Sequence, residues 1–264
     1  MGVLNITPDS FSDGGRFVDR SAALAHARRL IAEGAGIIDV GGESTRPGAR
    51  PAGLDEELDR VIPVLEALRR ESAVFLSVDT SKPEVMSAAV AAGADIINDV
   101  RALAGPGALD VAAASGAGIC LMHMQGEPRS MQDAPHYTDV VAEVSAFLAA
   151  RIRACREADI DASRLAVDPG FGFGKRTVDN LVLLKQLASF EALGVPIAVG
   201  LSRKSMLAKL TGRGVDERLS GSVALAAIAV LHGARIVRAH EVGATIDAVR
   251  VAAAVIKGEE FDGT

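Results

Sequence analysis

Asn5, Asp79, Asn98, Asp168 and the trio Ser202, Arg203, Lys204 each follow a short run of branched aliphatic residues, as do Glu43 to Arg46, Asp99 and His123, and Arg238 and His240 close the last such run. Acids and amides gathered in a partly buried place need hydrogen-bond partners. For Asp79, Asn98, Asp168 and Lys204 a ligand with ring N–H groups, ring nitrogens and a carbonyl would supply them, which describes the edge of an aminopyrimidinone. Arg238 and His240, one residue apart, together with Asn5 suggest a second, anionic locus. Guanidinium and imidazole suit phosphate oxygens, and the Asn5 carbonyl oxygen can join a hydrated magnesium ion that bridges phosphates. Pyrophosphate fits such a locus. Any one of these positions taken alone is better explained by strand ends meeting water. Eight runs that all end this way favour a shared mouth.

The elements that must position these groups are legible in the spacing. Runs rich in Val, Ile and Leu recur at 3–7, 37–40, 74–78, 95–100, 119–123, 165–168, 197–201 and 235–240. Between them lie helical patterns, clearest at 54–70, where Leu58, Val61, Ile62, Leu65 and Leu68 share one face. Asp55, Glu56, Asp59, Arg60 and Arg69 form its solvated face. Asp19 or Ser21 is placed to cap the first helix, and Gly34, Gly93 and Gly233 mark helix ends just before strands. Strand and helix alternating in this way predict a parallel sheet with both faces covered. Eight units predict a (β/α)8 TIM barrel with its site at the C-terminal ends of the strands. The rival is an open doubly wound sheet, which favours a glycine-rich turn after its first strand; here that turn reads Asn5-Ile6-Thr7-Pro8-Asp9.

Composition narrows the function classes. The chain has 264 residues, 49% hydrophobic and 23% charged, with a net charge of −6. No apolar run approaches the roughly 18 residues of a membrane span, and the acidic balance argues against a nucleic-acid or anionic-membrane face. No linker divides the sequence, so residues 1–264 are read as a single domain. The two cysteines, Cys120 and Cys155, lie in apolar stretches that suit packing rather than a disulfide, and with no secretory pattern at the start they imply a soluble protein in a reducing, cytoplasmic setting. No His, Cys and carboxylate trio has zinc-like spacing.

Longer motifs carry a resemblance. Residues 1–15 (MGVLNITPDSFSDGG) and 39–48 (DVGGESTRPG) resemble the two signature loops of the dihydropteroate synthase family of pterin-binding enzymes. SVDTS at 77–81, IND at 97–99, DPGFGFGK at 168–175, GLSRKS at 200–205 and RAH at 238–240 follow in the family's order and extend the likeness over nearly the whole chain. The resemblance implies a magnesium-dependent condensation of 6-hydroxymethyl-7,8-dihydropterin pyrophosphate with p-aminobenzoate, giving 7,8-dihydropteroate and pyrophosphate in folate biosynthesis. It implies a pterin pocket of Asp79, Asn98, Met122, Asp168, Phe173 and Lys204. The p-aminobenzoate pocket falls on Phe11, Thr45, Arg46, Pro47, Phe173 and Ser202, with Lys204 beside it. The pyrophosphate site falls on Asn5, Arg238 and His240, with Asn5 as magnesium ligand. Asp13, Arg46 and Lys204 take catalytic roles, and a homodimer through the late helices is expected, where 222–231 and 244–256 are rich in Ala, Val, Ile and Leu.

Two motifs mislead. Residues 170–175 resemble a phosphate loop, but the spacing is one residue short and Arg176 stands where Ser or Thr is needed. Asn5-Ile6-Thr7 matches a glycosylation acceptor at what should be a strand end. His123 reads equally well as a strand-end histidine or a substrate contact. Two other functions compete: a methyltransferase barrel with a similar pterin grip, which has no use for residues 44–47 or 202–204, and a non-catalytic pterin-binding paralogue, in which Asn5, Asp13, Arg238 and His240 should have eroded.

Overall fold

The structure is a computed structural model that describes residues 1–6, 16–44, 50–127 and 130–258, with backbone alone for 16–19. In chain order it runs β1 (Gly2–Asn5), α1 (Arg16–Ala32), β2 (Ile37–Gly41), α2 (Leu54–Glu71), β3 (Phe75–Asp79), α3 (Pro83–Ala91), β4 (Ile96–Asp99), α4 (Ala108–Ser115) and β5 (Gly118–Met122). It continues through α5 (Val140–Glu157), β6 (Leu165–Asp168), α6 (Thr177–Lys185), β7 (Ile197–Gly200), α7 (Ser205–Thr211), α8 (Leu219–Leu231), β8 (Ala234–Arg238) and α9 (Val242–Lys257). All eight strands are parallel and each pairs with its sequence neighbour. The ring closes where Val3 N–H donates to Ala239 O at 3.0 Å and Ala239 N–H to Met1 O at 2.9 Å. The chain is therefore the expected (β/α)8 barrel, and the open-sheet alternative fails because β8 meets β1.

Alternation along each strand divides the side chains between two environments. Ile38 and Val40, Leu76 and Val78, Ile97, Ile119 and Leu121, Val167 and Val199 are at most 1% exposed and pack in one apolar cluster with Leu30, Leu65, Leu68, Met86 and Leu148 of the surrounding helices. In α2 the face predicted from spacing is the packed one: Val61, Leu65 and Leu68 are buried, and Leu58 and Ile62 pack against the core. The intervening positions point into the barrel: Asp39 and Ser77 are fully buried there, and those nearer the strand ends line its mouth.

Helix ends follow local chemistry. Asp139 caps α5 by accepting from the N–H groups of Val141 and Ala142. Gly93 and Gly233, at φ 103° and 97°, take the left-handed conformation that ends α3 and α8 before the next strand. Neither Asp19 nor Ser21 caps the first helix, because α1 already begins at Arg16. The helical conformation spreads upstream of both residues, and their types alone do not show where it starts.

Candidate active site

Parallel register brings together groups far apart in sequence. Asp79 pairs with Asn98 across β3 and β4, and Met122 with Asp168 across β5 and β6. Gly200 pairs with Arg238 across β7 and β8. Asp79, Asn98, Met122, Asp168, Phe173 and Lys204, the six residues expected in a ring pocket, line one cleft at the strand ends, and Arg238 lines it with them.

The floor is a charged network. Arg238 donates through Nε to Asp39 Oδ2 at 2.6 Å and through Nη2 to Asp79 Oδ2 at 2.9 Å. Asn98 Nδ2 also donates to Asp39 Oδ2, at 3.2 Å. Burial, partly offset by Arg238, pushes Asp79 up to about 7, so this carboxyl titrates near neutrality. Arg238 thus stands inside the ring pocket on two acids, and its remaining N–H groups are free of these two bonds. Asp39 was not singled out among the site candidates: its signal was an acid in the middle of an otherwise apolar strand, and its meaning depends on a partner 199 residues away.

The wall comes from the segment joining β6 to α6. Asp168 accepts the Gly170 N–H at 2.7 Å; burial raises its pKa, against the pull of that bond and of Lys204 and Lys175. Lys204 lies with Nζ 4.3 Å from the centroid of Phe173, a cation–π contact. Burial lowers Lys204 to about 8, with Asp168 opposing. His123 does not face the cleft. Its Nδ1 is 2.8 Å from Lys175 Nζ and its ring packs edge-on to Phe147. Burial, reinforced by Lys175, depresses it to about 3, so it is a neutral structural histidine. Lys175 has its amino group turned inward at 2% exposure rather than presented to an anion, and burial, with Asp168 opposing, lowers it to about 7, so the residues at 170–175 do not form a phosphate loop. Asp99 is likewise structural: it accepts from Ser81 Oγ and from the N–H groups of Arg101 and Leu103.

A third corner joins β7 to β8. Ser202 Oγ lies 2.9 Å from His240 Nδ1 and accepts the His240 N–H at 3.2 Å. Burial and then Arg238 lower His240 to about 4, so it offers a neutral ring. The fold therefore places Ser202, expected at the p-aminobenzoate side, against a residue expected to bind pyrophosphate. Arg203, between Ser202 and Lys204, turns away to pair with Glu241.

Two hard oxygens, from Asn5 and Asp79, face the backbone of Gly41. A Cβ on Gly41 would stand at ordinary contact distance, 3.5 Å from Asn5 Oδ1 and 3.8 Å from Asp79 Oδ2, so the two oxygens border the same small space. That donor chemistry fits magnesium, which keeps most of its waters and takes few protein ligands. Among the described residues no group of three His, Cys, Asp or Glu side chains could hold a metal by itself. Phe11, Asp13, Thr45, Arg46 and Pro47 lie outside the described residues.

Comparisons with known proteins agree with this arrangement. The family model for pterin binding enzymes matches residues 1–240. The dihydropteroate synthase of Escherichia coli strain K12 is 52% identical over 260 residues, covering 98% of this chain and 92% of that protein. The solved structure of the Yersinia pestis dihydropteroate synthase with a sulfonamide drug complex superposes with a TM-score of 0.93 at 48% identity, covering 97% of this chain and 94% of the other. The Xanthomonas albilineans enzyme in complex with 7,8-dihydropteroate gives a TM-score of 0.89 at 52% identity, with 97% and 92% covered. With likeness running through fold, cleft and nearly the full length, the chain belongs to the pterin-binding enzyme family, among the dihydropteroate synthases.

Proposed function

We propose that the cleft condenses 6-hydroxymethyl-7,8-dihydropterin pyrophosphate with p-aminobenzoate, forming 7,8-dihydropteroate and releasing pyrophosphate, as a step of folate biosynthesis. The observation that carries this reading is the convergence of Asp79, Asn98, Asp168 and Lys204 on one buried cleft that Arg238 also enters. Asp168 accepts from the ring's amino and N–H edge, Asn98 and Asp79 meet the opposite edge, and Met122 and Phe173 cover the faces. Arg238 and His240 hold the pyrophosphate and stabilise the charge that grows on it as the C–O bond breaks. Asn5, with Asp79 beside it, would hold magnesium, which neutralises phosphate charge when bound.

The bonding electrons leave with pyrophosphate, and the electron-rich dihydropterin shares the positive charge left on the methylene carbon. The aryl amine then forms the new C–N bond and loses a proton. A weakly basic amine in this position needs orientation more than a strong base. Ser202, Phe173 and Lys204, with Phe11, Thr45, Arg46 and Pro47, shape the p-aminobenzoate side, and Asp13, Arg46 and Lys204 order the reacting complex.

The substrates are small molecules. The fold displays no helix, among the described residues, long and apolar enough to cross a membrane. Cys120 and Cys155 are both buried as free thiols, which suits the reducing cytoplasm. Val251, Val255 and Ile256 on α9, with Ile228 and Leu231 on α8, are exposed apolar groups, and they support a homodimer through these helices.

The test is an assay with magnesium and both substrates that follows pyrophosphate release and dihydropteroate formation together. Equal amounts of the two products, lost on chelation and in Asp168→Ala, support the reading. Pterin binding without pyrophosphate release would overturn it in favour of a binding protein.

A further inference from the structure

The segment from Asp168 to Lys175 has three glycines in the left-handed region: Gly170, Gly172 and Gly174, at φ 72°, 81° and 59°. Such a path belongs to no regular element, so its carbonyls find no ladder partners and must be satisfied otherwise. It also lies directly on the end of β5. A Cβ on Gly170 would stand 1.8 Å from His123 O, and one on Gly174 2.3 Å from Gln125 O. Lys175 sits at this seam. Its Nζ donates to Gly170 O at 2.9 Å and Phe173 O at 3.0 Å, and meets His123 Nδ1 at 2.8 Å, with His123 O at 3.4 Å. An ammonium carries three donors radiating from one point. The site thus joins two carbonyls of one loop to a ring on the neighbouring strand. The accepting Nδ1 requires His123 to be neutral with its proton on Nε2.

The lysine does not line the cleft, but the residues it holds do. It fixes the backbone of Phe173, whose ring lies under the Lys204 ammonium, and it spans the loop that begins at Asp168. We propose that Lys175 is a positioning residue of the pterin pocket: its ammonium pins the loop between β6 and α6 onto His123, setting where Phe173 and Asp168 stand. Tyr137 Oη on Gly174 O at 2.8 Å and Asn180 Oδ1 on the Gly172 N–H at 2.7 Å hold other points of the same loop, so loss of the pin frees the stretch around Gly170 and Phe173 first. This role rests on the pterin reading of the cleft.

The experiment compares wild type with Lys175→Met, which keeps an unbranched stem and deletes the donors, and with the pair His123→Leu and His123→Asn. Leucine removes the acceptor that Lys175 uses, whereas the asparagine oxygen can stand close to Nδ1. Titration with 6-hydroxymethylpterin is followed by steady-state kinetics, and circular dichroism confirms folding. Lys175→Met and His123→Leu should weaken pterin binding, and raise KM for the pterin substrate, by about tenfold, equivalent to about 1.4 kcal/mol. At saturating substrate kcat should stay within about threefold, the pattern of lost ground-state binding. His123→Asn should recover most of the affinity. A folded Lys175→Met that binds pterin as wild type does, or a His123→Asn no better than His123→Leu, overturns the proposal. If Lys175→Met does not fold, the histidine pair decides. Failure of the wild type itself to bind the pterin would instead overturn the reading of the cleft.

Discussion

On β3, Leu76 and Val78 face the helices and are fully buried in the apolar cluster, while Ser77 and Asp79 of the same strand face the barrel axis, where Asp79 pairs with Arg238. β2 repeats the contrast: Ile38 and Val40 point outward and Asp39 inward, all three at 0% exposure. The outward layer is held by removal of apolar surface from water, which is non-directional and scales with area. The inward layer is held by directional bonds that leave some groups wanting. Asp39 Oδ1 and Ser77 Oγ are buried and have no hydrogen-bond partner among the described residues. Burying such atoms is unfavourable, so the polar inner face costs stability that the apolar outer layer must supply. One layer makes the fold and the other makes the site.

The largest effect that can break this comparison is expected from Arg238→Met. It strands Asp39 and Asp79 without their shared cation, and removing one partner of a buried ion pair costs about 3–5 kcal/mol. Loss of the contact proposed for it with the leaving group should lower kcat/KM by about 10²- to 10³-fold. Denaturant unfolding and steady-state kinetics read the two effects, and a variant that loses activity with stability intact would show that the acids do not depend on Arg238.

Leu76→Ala sharpens the contrast from the other side. A fully buried leucine truncated to alanine costs about 2–5 kcal/mol, and because this side chain faces away from the mouth, KM and kcat should stay within about twofold while the protein remains folded. A tenfold fall in kcat would show that the outer layer reaches the chemistry.

The effect confined to a single titration concerns protonation of the inner layer. Burial holds the Asp79 carboxyl at about 7 in the folded protein, above its ordinary 3.8. A raised folded pKa gives a stability contribution that is complete below the unfolded pKa and is lost as pH rises through the folded value. The melting temperature of wild type should therefore fall relative to Asp79→Asn as pH climbs from about 4 to about 8. A difference between the two proteins that stays level over this range would remove Asp79 as the titrating group.

Much of this is legible in the residues themselves. The aliphatic runs mark all eight strands, with ends shifted by a residue or two: the last run, read at 235–240, forms β8 at Ala234–Arg238, and the first, read at 3–7, forms β1 at Gly2–Asn5. The pattern at 54–70 is α2 almost residue for residue, because its apolar stripe repeats at the helical period and is flanked by acids at the start and arginines at the end. The roles of Asp39 and Lys175 are not legible in the sequence, for a shared reason. Each is a charged residue inside a motif with another evident use, one in an apolar strand and the other in a glycine-rich loop, and the partner that gives it meaning lies 199 or 52 residues away. His123 stayed ambiguous because a strand-end histidine looks the same whether it faces the cleft or a lysine.

By itself the sequence determined the alternation of strand and helix, the apolar outer layer, and the set of polar residues delivered to the strand ends, because periodicity and residue type are local properties that the backbone converts directly into faces. Only the tertiary structure decided how that set divides. Closure of β8 on β1 carries Arg238 onto Asp39 and Asp79. The crossing of the β6–α6 segment over β5 takes His123 out of the cleft and gives Lys175 its partners. These assignments depend on which strands become neighbours and on the register between them, and in a closed barrel both are set by the whole ring at once.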